Sequence, residues 1–317
     1  MISLAELSEK LKKETRVAIF SHIRPDGDTV GSSIGLAAAL RSMGVKADIF
    51  CADRIPKKFS FLDGYGEFSN AELNGEYSAF IAVDCAEIGR LGSYGADFQG
   101  FKNTYNIDHH VSNTRYAKVN FVLDKASASE IIYSVVKALG VPVTEKIANA
   151  LATGVITDTG NFRHKSVTLS TMQTATELFS FKADFNKIIY NTFNLQSKER
   201  ALLFGRTMEK IRYFQDGKVA VGTVRLKDFE ETGALQEETE GFIDFIMGIN
   251  GVHVGVCVME TEPDKYKISF RSQGEDVNAV AGMFGGGGHT LASGCRIAGT
   301  IEEVIDRLTF AISRVVI

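Results

Sequence analysis

A short stretch near the N-terminus, Ser21-His22-Ile23-Arg24-Pro25-Asp26-Gly27-Asp28-Thr29, carries one imidazole and two carboxylates. It follows residues 16–20 (RVAIF), which read as a buried strand because the run is short, apolar and rich in β-branched residues. Pro25 and Gly27 exclude a regular helix or strand through the stretch. His22, Asp26 and Asp28 are then free to turn toward one centre at the carboxyl end of the strand, where open α/β sheets place their ligands. Three hard or borderline donors converging in this way suit a divalent cation. Ordinary turn chemistry selects the same residue types, so the spacing alone leaves both readings open.

Other carboxylates and imidazoles recur at strand ends. Residues 78–83 form a buried run that ends in Asp84, and residues 103–107 lead into Asp108-His109-His110. Asp158, in a Thr157-Asp158-Thr159-Gly160 context after a helical pattern, reads by itself as a cap, with an interior-facing ligand as the alternative. A separate constellation follows much later, Phe284-Gly285-Gly286-Gly287-Gly288-His289. Consecutive glycines let backbone amides approach an anion closely, and His289 adds a charge or a proton. Arg271, ending a predicted strand, is a natural phosphate or base contact, although an isolated arginine also serves as a solvated surface charge.

The elements that must position these groups follow from periodicity. Residues 31–43 have small and apolar side chains at helical spacing with Gly44 as a stop, and residues 45–50 form a second strand, giving a βαβ unit. Strands ending in Asp or His and separated by helical or glycine-rich connections predict a doubly wound parallel sheet whose ligand edge is lined with metal-type donors. Helices are expected over residues 126–139, 144–157, 170–181 and 184–193, and a charged bridging helix over 196–213. Strands over 218–225, 252–260 and 266–271, an acidic amphipathic helix over 235–247 and a last helix over 301–315 then predict a smaller α/β domain. The division expected is residues 1–193, a helical linker over 194–214, and residues 215–317.

The 317 residues, 44% hydrophobic and 23% charged, are ordinary for globular domains. No run reaches the length of a membrane span, and the polar N-terminal segment has no cleavage site, so a cytoplasmic protein is expected. Cys51, Cys85, Cys257 and Cys295 form no CxxC pair; the first three read as buried apolar side chains, and Cys295 sits just past the glycine run. A formal net charge of -4 argues against a broad surface for gripping long duplex nucleic acid, while leaving room for a local cationic pocket.

Taken in order, His22-x-x-x-Asp26-x-Asp28, Asp84 behind a strand, Asp108-His109-His110 and Asp158 resemble the four motifs of the DHH phosphoesterase superfamily. The GGGGHTLASG segment, with Ala292, Ser293 and Gly294, resembles the signature of the DHH-associated C-terminal domain. The layout is most similar to the bacterial nanoRNase/pAp phosphatase group. That resemblance implies two Mn²⁺ ions in a cleft between the lobes, with Mg²⁺ or Co²⁺ as substitutes. Carried over, His22, Asp26 and Asp158 hold one ion, Asp28 and His109 the other, and Asp84 bridges them. His110 faces the phosphate, so that Asp84, His109 and His110 make the catalytic set, and Asp108 orients the histidines. Arg271, Gly287, Gly288, His289 and His110 hold substrate.

The expected function is hydrolysis of short RNA oligonucleotides to mononucleotides, and dephosphorylation of 3′-phosphoadenosine 5′-phosphate (pAp) to AMP, through a bridging hydroxide. Expected partners are short single-stranded RNA and pAp as substrates, no membrane, and a homodimer as a compatible assembly. Asn113 and Ser127 sit where the group has small polar residues, and the acidic stretch from Glu230 to Glu240 suits a short substrate better than a long polyanion. Two other functions share the ligands: a phosphodiesterase for cyclic dinucleotides or their linear products pApA and pGpG, and a catalytically inactive nucleotide-binding module.

Overall fold

The computed structural model describes residues 2–315 and divides into two compact units, Met1–Leu195 and Gln196–Ile317. The strands of the first unit are β1 (Arg16–Phe20), β2 (Lys46–Phe50), β3 (Phe68–Ser69), β4 (Ala79–Val83), β5 (Thr104–Asp108) and β6 (Val119–Val122). Its helices are α1 (Leu4–Leu11), α2 (Gly27–Ser42), α3 (Gly95–Gly100), α4 (Ala128–Leu139), α5 (Glu145–Asp158), α6 (Leu169–Ser180) and α7 (Phe185–Ile189).

All six strands pair in parallel in the order β3-β2-β1-β4-β5-β6, the doubly wound arrangement expected from the sequence. Because side chains alternate across a strand, Val17 and Ile19 of β1 enter the core beneath α1, α2, α4 and α5, whereas Ala18 and Phe20 enter an aromatic cluster with Phe50, Phe80, Tyr94 and Phe98. Both faces are covered, which is why the strands read as continuous apolar runs. The strand order reverses between β1 and β4, and the crevice above that reversal is where such sheets bind ligands.

The helix expected at residue 31 begins at Gly27. Asp26 is its N-cap, accepting the amides of Asp28 at 3.0 Å and Thr29 at 3.1 Å, so the stretch taken as irregular is the opening turn of α2. Gly27, Gly31 and Gly35 form a stripe on α2 that lies against α5. A Cβ at Gly31 would collide with the Ala150 carbonyl, and the missing side chains let the two helices approach closely.

The second unit contains α8 (Lys198–Glu209), β7 (Arg212–Phe214), β8 (Val219–Val224), α9 (Leu226–Thr232), α10 (Phe242–Met247), β9 (Val254–Glu262), β10 (Lys265–Ser272), α11 (Val277–Gly282), β11 (Gly287–His289), β12 (Ala292–Ala298) and α12 (Ile301–Ile312). They form a mixed sheet in the order β11-β12-β10-β9-β8-β7, parallel only between β8 and β9. The charged helix expected to run to residue 213 ends at Glu209, because Arg212–Phe214 pairs with β8 as an edge strand. The acidic helix expected over 235–247 is broken by Gly241 at φ +84°, which leaves a single 3₁₀ turn and the short α10.

All four cysteines are free and buried, and burial pushes the thiols up, Cys257 to about 12. Among the described residues no helix is long and apolar enough to cross a membrane.

Candidate metal centre

Three strand ends and two helix ends of the first unit bring six donors together. His22 follows β1, Asp26 and Asp28 open α2, Asp84 follows β4, His109 follows β5, and Asp158 closes α5. Asp84 adopts a left-handed backbone conformation, φ +52°. Asp tolerates this region better than most residues, and the sharp turn it makes aims the carboxylate back over the strand ends.

The six donors fall into two sets, His22/Asp26/Asp84 and Asp28/His109/Asp158, and a third overlapping group joins Asp84 and His109 to Asp108 and His110. His22 Nε2 lies 3.4 Å from Asp84 Oδ2 and 3.6 Å from Asp26 Oδ2. His109 Nε2 lies 3.4 Å from Asp84 Oδ1, 3.5 Å from Asp158 Oδ2 and 4.0 Å from Asp28 Oδ2. The closest of these separations are long for hydrogen bonds. They are what two ligands, each about 2.1 Å from a shared ion, subtend. Asp84 offers one oxygen to each histidine, the position of a bridging carboxylate. Asp158 stands with Asp28 and His109, whereas the family resemblance groups it with His22 and Asp26. The cause is the α2–α5 contact, which sets the last turn of α5 beside the first turn of α2.

Electrostatics also favour a cation. Burial opposes charge on His22, but its contacts with Asp26 and Asp84 outweigh this and raise it to about 10. Burial likewise opposes charge on His109, which Asp84, Asp28 and Asp158 nevertheless raise to about 10. Burial, with repulsion from Asp84 and Asp158, pushes Asp28 well above the usual carboxylate range. Burial also pushes Asp158 to about 6, although His109 pulls the other way. Four aspartates crowded into a largely dry crevice repel one another, and two divalent cations would offset their charge. The donor set fits divalent metal.

Surrounding groups fix the donors. His22 Nδ1 lies 2.8 Å from the Ile23 carbonyl, and His109 Nδ1 lies 3.1 Å from the Lys125 carbonyl, so each ring presents Nε2 to the crevice. Asp28 accepts the amides of Ala128 at 2.5 Å and Ser129 at 2.9 Å, at the start of α4, where the helix dipole favours negative charge. Asp108 accepts a 2.8 Å bond from His110 Nδ1, and the His109 backbone also favours its charged form. Asn113 Nδ2 donates to Asp108 at 2.5 Å and to Asn106 at 2.7 Å. Asp108 is held below the usual carboxylate range because His110 and Asn113 outweigh its burial, and the same bond raises His110.

Sequence reasoning missed the Lys125 carbonyl, the Ala128 and Ser129 amides, and Arg90, whose Nη2 lies 3.0 Å from His22 Nδ1. The first three act through backbone atoms, which residue type does not reveal. Ser127 caps α4 by accepting the Glu130 amide, and so helps define the turn that holds Asp28.

The remaining candidate residues lie in the second unit. Arg271 is on β10, with its Nε 3.4 Å from Asp244 Oδ1. Gly287, Gly288 and His289 form β11, an edge strand paired with β12, so half of the expected anion loop is a hairpin. At Gly288, φ is +151° and a Cβ would lie 2.6 Å from the Ala292 carbonyl, so hairpin packing by itself requires glycine there.

Residues 16–155 match the DHH family, N-terminal domain, and residues 216–316 match the DHHA1 domain. The bifunctional oligoribonuclease and PAP phosphatase NrnA of Thermus thermophilus is 32% identical over 313 residues, covering 96% of this chain and 92% of that protein. Its namesake from Bacillus subtilis is 28% identical over 300 residues, covering 92% of each chain. The crystal structure of an exopolyphosphatase-related protein from Bacteroides fragilis superposes with a TM-score of 0.86 at 23% identity, over 98% of this chain and 95% of that one, and shows the same fold. With the four sequential motifs gathered in one crevice, and relatives aligned along nearly its whole length, the chain belongs to the DHH family and is a phosphoesterase.

Proposed function

We propose that the protein is a manganese-dependent phosphoesterase that hydrolyses short RNA oligonucleotides to mononucleotides and removes the 3′-phosphate of pAp to give AMP. The observation that carries this reading is Asp84, with one oxygen facing each of two separate His/Asp sets. The NrnA relatives, named for oligoribonuclease and PAP phosphatase action, support the substrate class.

His22, Asp26 and Asp84 would hold one ion and Asp28, His109 and Asp158 the other, with Asp84 shared. Bound there, the pair supplies Lewis acidity toward a phosphoryl oxygen and lowers the pKa of water. The chain's own groups do the rest. His110, whose Nδ1 is held by Asp108, has Nε2 free to donate to a phosphoryl oxygen, and Asp108 favours the protonated ring as charge builds on the phosphate. The α4 amides fix the Asp28 carboxyl in place. Arg271, His289 and the amides of Gly287 and Gly288 hold the phosphate or the far end of the substrate.

The test is hydrolysis, with Mn²⁺, of a 5′-phosphorylated RNA dinucleotide and of pAp by wild type and Asp84→Ala. Mononucleotide release that falls at least about 100-fold in the variant is the expected result. Full turnover by the variant overturns the reading. So does a metal-loaded wild type that spares both substrates, and cleavage of cyclic dinucleotides instead would reassign the activity.

A further inference from the structure

We infer that the open face of the second sheet carries a cationic track, centred on Lys267 and Arg296, that binds the additional phosphodiesters of an RNA oligonucleotide longer than a dinucleotide. The inference rests on the oligoribonucleotide reading above and adds a length-dependent subsite to it.

The track follows from strand register. Along β10, Tyr266, Ile268 and Phe270 enter the core shared with α11 and α12, as do Cys295 and Ile297 of β12. Alternation therefore sends Lys267, Ser269 and Arg271 of β10, and Ala292, Gly294 and Arg296 of β12, to the opposite face. That face is covered over β8 and β9 by the cluster containing Leu203, Phe242 and Ile246. Over β10, β12 and β11 its residues are exposed or half-buried.

Three rows cross this open part. Arg271 pairs with Ala292 and Ala292 with His289; Ser269 pairs with Gly294 and Gly294 with Gly287; Lys267 pairs with Arg296. A cationic row therefore lies at each end, with a floor of only hydrogen and hydroxymethyl side chains, Gly287, Gly294 and Ser269, between. From Arg271 to Lys267 the distance along the strand is about 13 Å, longer than a single nucleoside phosphate requires.

The Lys267–Arg296 row is the telling one. Like charges directly opposite each other across antiparallel strands are destabilising, and among the described residues neither side chain forms an ion pair. Glu262, which senses Arg296, is bonded to Lys265 at 2.7 Å. Arg271, by contrast, is braced by Asp244. A chain of net charge -4 thus keeps this pair of cations side by side on an open sheet, neither held in an ion pair among the described residues. A phosphodiester laid along the floor from the Arg271/His289 row would compensate it, and the absence of bulky side chains lets the nucleic acid backbone lie against the strands.

The experiment measures fluorescence anisotropy of labelled RNA di- and pentaribonucleotides with phosphorothioate linkages, which resist hydrolysis, on the Mn²⁺-loaded full chain. In the double variant Lys267→Gln/Arg296→Gln, pentamer affinity is expected to fall about tenfold, and dinucleotide affinity by no more than about twofold. The slope of log affinity against log salt for the pentamer should become shallower by about 1.4, the share of two single-strand phosphate contacts. Lys267→Arg/Arg296→Lys, which keeps both charges, should restore wild-type affinity. Unchanged pentamer affinity, or equal weakening of both lengths at an unaltered Tm, overturns the track. A wild type that binds the pentamer through these residues but cleaves no natural RNA would instead overturn the proposed function and leave the track standing.

Discussion

The centre depends on carboxylates that are poor neighbours without metal. Asp158 shows this most directly, because burial raises it to about 6. A carboxyl whose pKa is higher in the folded than in the unfolded chain stabilises the fold below its ordinary value near 4, and loses that contribution as pH rises through about 6. At pH 8 with a chelator, Asp158 is therefore a net cost, and Asp158→Asn should melt about 2–4 °C above wild type, on the order of 1 kcal/mol for a unit of this size. The difference should close as pH falls toward 4. With excess Mn²⁺ the order should reverse, because wild type gains the ion's binding energy and the variant has lost a ligand. Differential scanning fluorimetry at the two pH values, with and without metal, checks all three outcomes. A variant melting below wild type in chelator would show that Asp158 is not under electrostatic strain.

At the scale of elements, the site is set by how closely α2 lies on α5. Gly31→Ala pushes a methyl into the Ala150 carbonyl, a backbone atom that cannot step aside, whereas Gly35→Ala meets only the Leu151 side chain, which can rotate. Gly31→Ala should cost about 1–3 kcal/mol and Gly35→Ala less. Only the former should weaken Mn²⁺ binding by titration calorimetry, since it moves Asp28 and Asp158 apart; equal losses from both would rule out that coupling. The same packing explains what the sequence disclosed and what it hid. His22, Asp84 and Asp108-His109-His110 were readable because each follows a short apolar run with a fixed local meaning. The partner of Asp158 was not, because it depends on two helices touching. Asp108-His109-His110 read as one unit, yet His109 answers to the Lys125 carbonyl and His110 to Asp108. Residues 235–247 looked helical because apolar spacing persists through Gly241, whose positive φ interrupts the backbone without disturbing that spacing.

For the whole molecule, the two units have separate cores: the clusters around Ile19 and Phe20 belong to the first, and those around Val256 and Phe242 to the second. All six candidate metal donors lie in the first unit, and Arg271, Lys267, His289 and Arg296 all lie in the second. Metal loading and substrate retention should therefore separate when the chain is cut between Leu195 and Gln196. A ligand present at 100 times its Kd stabilises the state that binds it by about 2.7 kcal/mol. For residues 1–195 that is a rise in Tm of about 5–10 °C on adding Mn²⁺. Residues 196–317 should show no such rise, while retaining salt-sensitive affinity for the pentaribonucleotide that Lys267→Gln/Arg296→Gln lowers about tenfold. Neither fragment alone should release mononucleotides at the rate of the full chain, because each lacks what the other supplies. A Mn²⁺-dependent rise in the second fragment, or full hydrolysis by the first, would show that the division of labour between the units has been drawn in the wrong place.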